Sequence, residues 1–376
     1  MSRIVLVGPV YPYRGGIAHF TTLLGRALQA SHDIRVVSFR RQYPRWLYPG
    51  RTDQDPSREP VSIDAEYVLD PLKTWTWTQA GNRIRSFSPH LVVIQWWTPF
   101  WALPLAVLSR LLARNQIPVV YIAHNVLPHE SHVWNKPLAR FALGAASAII
   151  VMTETQRLLL DQLLPGRRAV VVPLPDFAGL SSTKTTREQA RIALGLPVHS
   201  KIALFFGLVR PYKRLGDLIE AISILHGRGQ EVFLVVAGEF WEPEGKYFRQ
   251  VQGLGLEEFV RLLNRYVPNE EIAPMFKAAD VLVVPHLPGI QSGVAGLARS
   301  FGLPVVTTRE EDTPGDSTAG VFLAEGRDPE SLAGAIESAL SAPPKLSQLA
   351  EAKGHEWDEM ARVIDTLAHE QKDGTP

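Results

Sequence analysis

The chain has 376 residues and no cysteine, with 39 Lys and Arg against 38 Asp and Glu, a formal net charge of +1 and a pI near 8.0. That length exceeds what one core usually serves, the near-neutral balance gives no field for nucleic acid, and the missing thiols exclude disulfides and fit a reducing compartment. An apolar fraction of 45% with 20% charged residues is that of an ordinary globular protein.

No apolar run reaches the roughly 18 residues a membrane helix needs, and FALGAASAII falls well short of it. The opening run RIVLVG ends in Gly-Pro without a small-residue cleavage site, so it reads as a first strand rather than a signal peptide. A cytoplasmic protein is expected.

RIVLVG leads into a helix that carries Ile17, Phe20, Leu24 and Leu28 on one face. DIRVVSF, HLVVIQWW, PVVYIAH, AIIVMT and AVVVPLP follow, with helical segments before most of them. Runs apolar on both faces and separated by helices indicate parallel strands covered on both sides. A first α/β domain is therefore expected over 1–176. The polar stretch 177–196 reads as a linker. A second series, KIALFFG, EVFLVVAGEF, VRLLNRYV, VLVVPH, PVVTT and GVFLAE, predicts a second α/β domain over 197–354. The last segment, 355–376, places Trp357, Met360, Ile364 and Leu367 on one helical face, so it should pack rather than dangle.

In open parallel sheets ligands bind beyond the carboxyl ends of the strands, which directs attention to the residues just after each strand. After the first come Gly15 and Gly16, where backbone can approach a phosphate at a helix start. For a lone Gly-Gly, a glycine-rich turn is the favoured reading. The stretch is not GxGxxG, and the second strand ends in Arg40 and Arg41, not the acid that would take an NAD ribose, so a dinucleotide oxidoreductase is poorly supported.

After KIALFFG, Arg210 and Lys213 stand three apart before the next helix, a pair suited to a diphosphate. The segment PGIQSGVAGLA crowds small residues at another helix mouth. Gln291, Ser292, Gly293 and Val294 could hold an anion there, while Ala295, Leu297 and Ala298 suit close packing.

After PVVYIA come His124 and Asn125, with His129 further along the loop; no metal-ligand spacing is convincing. Trp96, Trp97 and Trp101 follow another strand, where an exposed ring could stack on sugar or lipid and a buried one would be core. RRQYPRWLYPGR mixes Arg40, Arg41, Arg45 and Arg51 with Tyr43, Trp46 and Tyr48, which suits an anionic membrane surface, a charged acceptor or a packed loop.

Taken in order, GPVYPYRGGIAHFTTLL, YIAHNVLPHE, FFGLVRPYKRLGDLIEAI, RYVPNEEIAPMFKAADVLVVPH and SGVAGLARSFGLPVV resemble the family 4 retaining glycosyltransferases of the GT-B type over nearly the whole chain. The resemblance implies two Rossmann-like, doubly wound parallel-sheet domains facing across a cleft, with the C-terminal helix crossing back to the N-terminal domain. It implies a nucleoside diphosphate sugar, UDP- or GDP-linked, held mainly by the second domain, and a glycan or lipid-linked acceptor held mainly by the first. No cofactor or metal is implied, because cations and helix dipoles stabilise the leaving phosphate.

Carried over by residue, Gly15 and Gly16 would approach the diphosphate, Arg210 and Lys213 would neutralise it, and Ser292, Gly293 and Val294 would offer helix-start contacts. Tyr266 and Val267 would hold the base through backbone, Gln291 and Gly289 would lie by the donor sugar, and His124 would stand beside the transferred sugar as the catalytic residue. Arg14, His19, Trp96, Trp97, Asn125 and His129 are the acceptor candidates.

Many members carry two glutamates eight positions apart; here those positions hold Gly289 and Leu297, as in a bacterial branch lacking the pair, and Leu297 cannot accept a hydrogen bond. Arg214 stands where glycine is usual. The missing carboxylates keep a second reading open, a catalytically inactive nucleotide-sugar binder or partner subunit.

Overall fold

The computed structural model describes residues 1–128, 132–175, 177, 185–286, 293–308, 320–326, 328–342 and 355–370. The chain forms two compact units: unit 1 is Met1–Pro56, Pro60–Pro175 and His355–Pro376, and unit 2 is Ser57–Glu59 and Asp176–Gly354.

In unit 1 the elements run β1 (Arg3–Val7), α1 (Gly16–Gln29), β2 (Asp33–Phe39), β3 (Glu66–Leu69), α2 (Thr74–Ser86), β4 (Leu91–Trp96), α3 (Ala102–Ala113), β5 (Val119–Ala123), α4 (Asn135–Leu143), β6 (Ala148–Val151), α5 (Glu154–Leu163) and β7 (Ala169–Val171). The strands pair in parallel in the order β3-β2-β1-β4-β5-β6-β7. β4, β5 and β6 are buried at every residue, which is why their sequences are unbroken apolar runs rather than alternating ones. β3 was not among the expected strands. EYVL is short, and only its last two residues are buried, so it carries little pattern.

Unit 2 continues with α6 (Arg187–Ala193), β8 (Lys201–Phe206), α7 (Leu215–Gly227), β9 (Val232–Ala237), α8 (Gly245–Gly253), β10 (Val260–Leu263), α9 (Asn269–Ala278), β11 (Val281–Val284), α10 (Gly293–Ser300), β12 (Val305–Thr308), β13 (Val321–Ala324) and α11 (Pro329–Ser341). Its parallel sheet has the order β10-β9-β8-β11-β12-β13. The stretch 177–196, expected as a linker, needs correction in its second half. There Thr186 and Gln189 form a reciprocal capping box that starts α6, and α6 packs on α9. Its polar residues are a cap and an exposed helix face.

The final helix, α12 (His355–Glu370), belongs to unit 1. Met360, Ile364, Leu367 and Ala368 are buried, α12 packs along α1, and Trp357 meets the Phe20 ring at 5.2 Å. The periodicity of three and four in its sequence is the stripe that α1 covers.

Both sheets are doubly wound: the chain builds outward on one side, then returns beside the first strand and builds the other way. The order reverses between β1 and β4 in unit 1 and between β8 and β11 in unit 2, and such a reversal opens a crevice beyond the carboxyl ends.

Candidate functional site

At the crevice of unit 2 the chain leaves β8 through Gly207, whose φ of +102° is open to glycine but strained for other residues. A Cβ built there would lie 3.2 Å from Lys213 Nζ and 3.9 Å from Val294 Cγ2. The ammonium of Lys213 is thus brought over bare backbone, beside the first turn of α10. Gly238, just after β9, is equally constrained, because a Cβ would fall 1.9 Å from the Gly207 carbonyl oxygen. Two glycines therefore let the β8 and β9 exits close up beneath the lysine.

Lys213 ends a short 3-10 turn, Pro211–Lys213, whose N-cap is Arg210, and the Lys213 N–H donates to the Arg210 carbonyl at 2.9 Å. Lys213 is only 9% exposed, and burial, aided by the neighbouring Arg210 charge, pushes its ammonium down to about 8. The Arg210 guanidinium lies 5.1 Å from the Trp241 ring centre and 5.7 Å from that of Tyr212, so aromatic faces hold it in place. Two cations close together, one of them desolvated, make a site that favours a multiply charged anion.

Arg214 adopts the left-handed conformation, with φ of +53°, and pairs with Asp217 one turn into α7. The backbone shape that usually asks for glycine is kept, with an arginine in it.

In unit 1, Gly15 has a φ of +103° and caps α1 without any side-chain hydrogen bond. A Cβ on Gly15 or Gly16 would meet nothing within 4 Å, so the start of α1 is open to a close neighbour. His124 follows β5 and is half-buried, its N–H bonded to the Trp96 carbonyl at 2.9 Å. Its Nε2 lies 2.7 Å from Gln95 Oε1, and its ring meets the Phe20 ring edge-on at 4.7 Å, one turn along α1 from Gly16. Burial pushes the His124 imidazole down to about 3, so the ring is neutral at physiological pH.

Among the acceptor candidates, Trp97 is half-buried and donates from Nε1 to the Tyr43 hydroxyl at 2.8 Å, and Arg14 Nε reaches the Tyr48 hydroxyl at 3.1 Å. Tyr43 packs on Tyr48 and Phe100, giving a wall of rings beyond β2 and β4. Asn125 is partly exposed beside His124. His19 is 7% exposed and stands 3.8 Å from Asp55. Trp96 corrects its expectation: it is 1% exposed and donates to the Val126 carbonyl, so it is core and offers no stacking face. Trp101 is core as well.

Tyr266 and Val267 follow β10, with Val267 buried and Tyr266 half-buried. Gly289, Gln291, Ser292 and His129 lie outside the described residues. Leu297 is buried in α10 and faces the packing side of that helix. A cavity of about 460 Å³ elsewhere in unit 2, lined by Leu194, Leu196, Leu263, Met275 and the Arg265–Glu271 pair, contains none of the residues singled out from sequence.

Residues 200–342 match the family described as Glycosyl transferases group 1, and residues 15–175 match the Glycosyl transferase 4-like domain. The chain belongs to the family 4-like glycosyltransferases. Curated relatives include the D-inositol 3-phosphate glycosyltransferase of Corynebacterium glutamicum, 28% identical over 56% of this chain and 54% of that one. The enzyme of the same name from Streptomyces griseus is 32% identical over 46% and 40%. The aligned region thus spans about half the length of these relatives.

Among solved structures, sucrose-phosphate synthase from Thermosynechococcus elongatus superposes with a TM-score of 0.72 at 17% identity, covering 100% of both chains. HepE of Anabaena, solved with UDP and glucose, gives 0.71 at 17% identity, again covering 100% of both. These establish the GT-B fold for this glycosyltransferase.

Three residues of the site escaped the sequence reading. Gly207 and Gly238 look like ordinary strand-end glycines, and only the three-dimensional approach of Lys213 to Gly207 shows what they make room for. Gln95 lay in a run whose tryptophans drew attention. A polar residue inside the otherwise continuous strand LVVIQW was the available signal, because a buried amide needs a partner.

Proposed function

We propose that this glycosyltransferase moves a hexosyl group from a nucleoside diphosphate sugar, UDP- or GDP-linked, to a glycan or lipid-linked acceptor with retention of configuration, in the synthesis of a cell-surface polysaccharide or glycolipid. The observation that carries this reading is the meeting of Lys213 Nζ, the bare backbone of Gly207 and the first turn of α10, beside Arg210. That arrangement suits a diphosphate: the cations take its charge, and the missing side chain at Gly207 leaves room for its oxygens beside the first turn of α10.

In this reading the bond from the anomeric carbon to the diphosphate oxygen breaks while the acceptor oxygen bonds to that carbon on the same face. The acceptor proton passes to a departing phosphate oxygen. Arg210 and Lys213 lower the barrier by meeting the negative charge that grows on the leaving group, which is why no metal is required. Gly15, Gly16, Ser292, Gly293 and Val294 are assigned to the phosphates, Gly289 and Gln291 to the sugar, and Tyr266 and Val267 to the base. His124 is assigned a place beside the transferred hexose, and Arg14, His19, Trp97, Asn125 and His129 to the acceptor.

No described helix is long and apolar enough to cross a membrane. A peripheral membrane contact is supported by the loop beyond β2, where Trp46 is 80% exposed next to exposed Arg45 and Leu47.

The test is calorimetric titration with UDP, GDP and their hexose conjugates, followed by transfer assays. Arg210→Ala should weaken donor binding by about 10- to 100-fold, the value of a hydrogen bond to a charged group, and reduce turnover with it. Wild-type affinity and turnover in that variant would overturn the reading. Nucleotide binding without transfer to any acceptor would favour the inactive binder.

A further inference from the structure

Gln95 is fully buried at the end of β4, the strand beside β1 at the reversal of the unit 1 sheet. Its Oε1 lies 2.7 Å from His124 Nε2, while its own Nε2 is buried without a partner among the described residues. The backbone is shaped around it: a Cβ on Gly8, just after β1, would fall 2.5 Å from Gln95 Cγ. A glycine is thus held where any side chain would expel the amide. A buried polar group that leaves one donor orphaned costs stability, so the arrangement calls for a reason outside its own hydrogen bonding.

We infer that Gln95 is a positioning residue that decides which ring nitrogen of His124 carries the proton: its carbonyl accepts from Nε2–H, and Nδ1 is left as a bare acceptor for a hydroxyl of the substrate. This rests on the assignment of His124 to the sugar. An acceptor nitrogen suits a neutral hydroxyl and repels a carboxylate or phosphate at the same place, so the geometry assigns specificity as well as orientation. The Phe20 ring of α1 and the Gln95 amide of β4 both pack on the imidazole, and burial is the cause of its lowered basicity. Neutrality and tautomer therefore come from separate sources, the apolar surroundings and Gln95.

The experiment uses the full chain labelled with ¹⁵N-histidine, with the His124 signals assigned by their loss in His124→Ala. The wild type should show a neutral ring protonated on Nε2 at pH 7 and still neutral at pH 5. The isosteric Gln95→Glu variant puts an acid against Nε2–H, so the pair takes up a proton near neutral pH. Its Nδ1 signal should change to the protonated form as pH falls from 8 to 6, and kcat should fall over the same interval, while wild-type kcat shows no such inflection. In Gln95→Leu the preference for Nε2–H should disappear and kcat should drop about tenfold or more with donor affinity within about twofold, the split expected when an interaction near the reacting sugar is lost.

A wild-type ring protonated on Nδ1, as a turned amide would give, would overturn the inference. So would an unchanged tautomer in Gln95→Leu. If the spectra behave as expected but kcat of Gln95→Glu keeps the wild-type pH profile, His124 does not act on the substrate, and the functional assignment fails while the pairing stands. Thermal unfolding of each variant shows whether the fold survives.

Discussion

Lys213 is the residue whose chemistry most depends on its surroundings. A buried ammonium beside another cation is costly while charged, and its lowered pKa of about 8 expresses that cost. The sign follows from linkage. Below pH 8 both folded and unfolded chains hold the proton and the penalty is complete; between about 8 and the ordinary lysine value near 10.4 the unfolded chain binds more protons, so the penalty fades as pH rises. An arriving diphosphate reverses the balance by favouring the charged form. Binding of UDP or GDP at pH 8–9 should therefore take up protons. Calorimetry in two buffers of different ionisation enthalpy checks this, and Lys213→Met should abolish the buffer dependence.

The same residue shows how far sequence reading reaches. Arg210 and Lys213 drew notice as two cations three apart between a strand and a helix, a pair that alone suits a solvated surface and gains weight only beside a small-residue helix start in the same domain. Gly207 was not, since its reason lies in the ammonium that approaches it in space. Arg214 departs from the usual glycine in sequence alone, because the backbone retains a φ of +53°. A single left-handed residue costs roughly 1–2 kcal/mol in a non-glycine, and the pairing with Asp217 offsets part of that.

At the scale of elements, both sheets were readable because strands buried on two faces write themselves as unbroken β-branched runs. What escaped were elements whose residues serve two purposes. β3 is half-exposed, and α6 hides its helical period among capping and surface residues. α12 was legible as a stripe because its partner α1 covers only one side of it. Ile364, wholly buried in that stripe, should be sensitive to truncation. Ile364→Ala is expected to cost about 2–4 kcal/mol, the range for emptying a packed aliphatic site. Chemical denaturation followed by hydrogen exchange should place the loss in unit 1 and leave unit 2 protected as before.

At the scale of the molecule, the chain divides its chemistry between two units. Arg210, Lys213, Gly207 and Val294 stand in unit 2, while His124, Gln95 and the open start of α1 stand in unit 1. A ligand that binds only the native form raises stability by mass action, and raises it where it binds. Nucleoside diphosphate alone should therefore raise the unfolding temperature of unit 2 by several degrees and that of unit 1, which offers it only Gly15 and Gly16, by clearly less, as read by differential scanning calorimetry. A shift confined to unit 1 would contradict the assignment of the cations to the donor.

The membership of α12 in unit 1 has a consequence for biosynthesis. A ribosome delivers residues 1–175 before most of unit 2, and with them a sheet whose helix α1 keeps an apolar flank uncovered. The cover for that flank emerges only after the whole of unit 2 has been made. During that interval unit 2 can fold on its own sheet, while unit 1 waits with Phe20 and its neighbours accessible to chaperones or to another nascent chain. A helix made after unit 2 thus completes a sheet domain made before it.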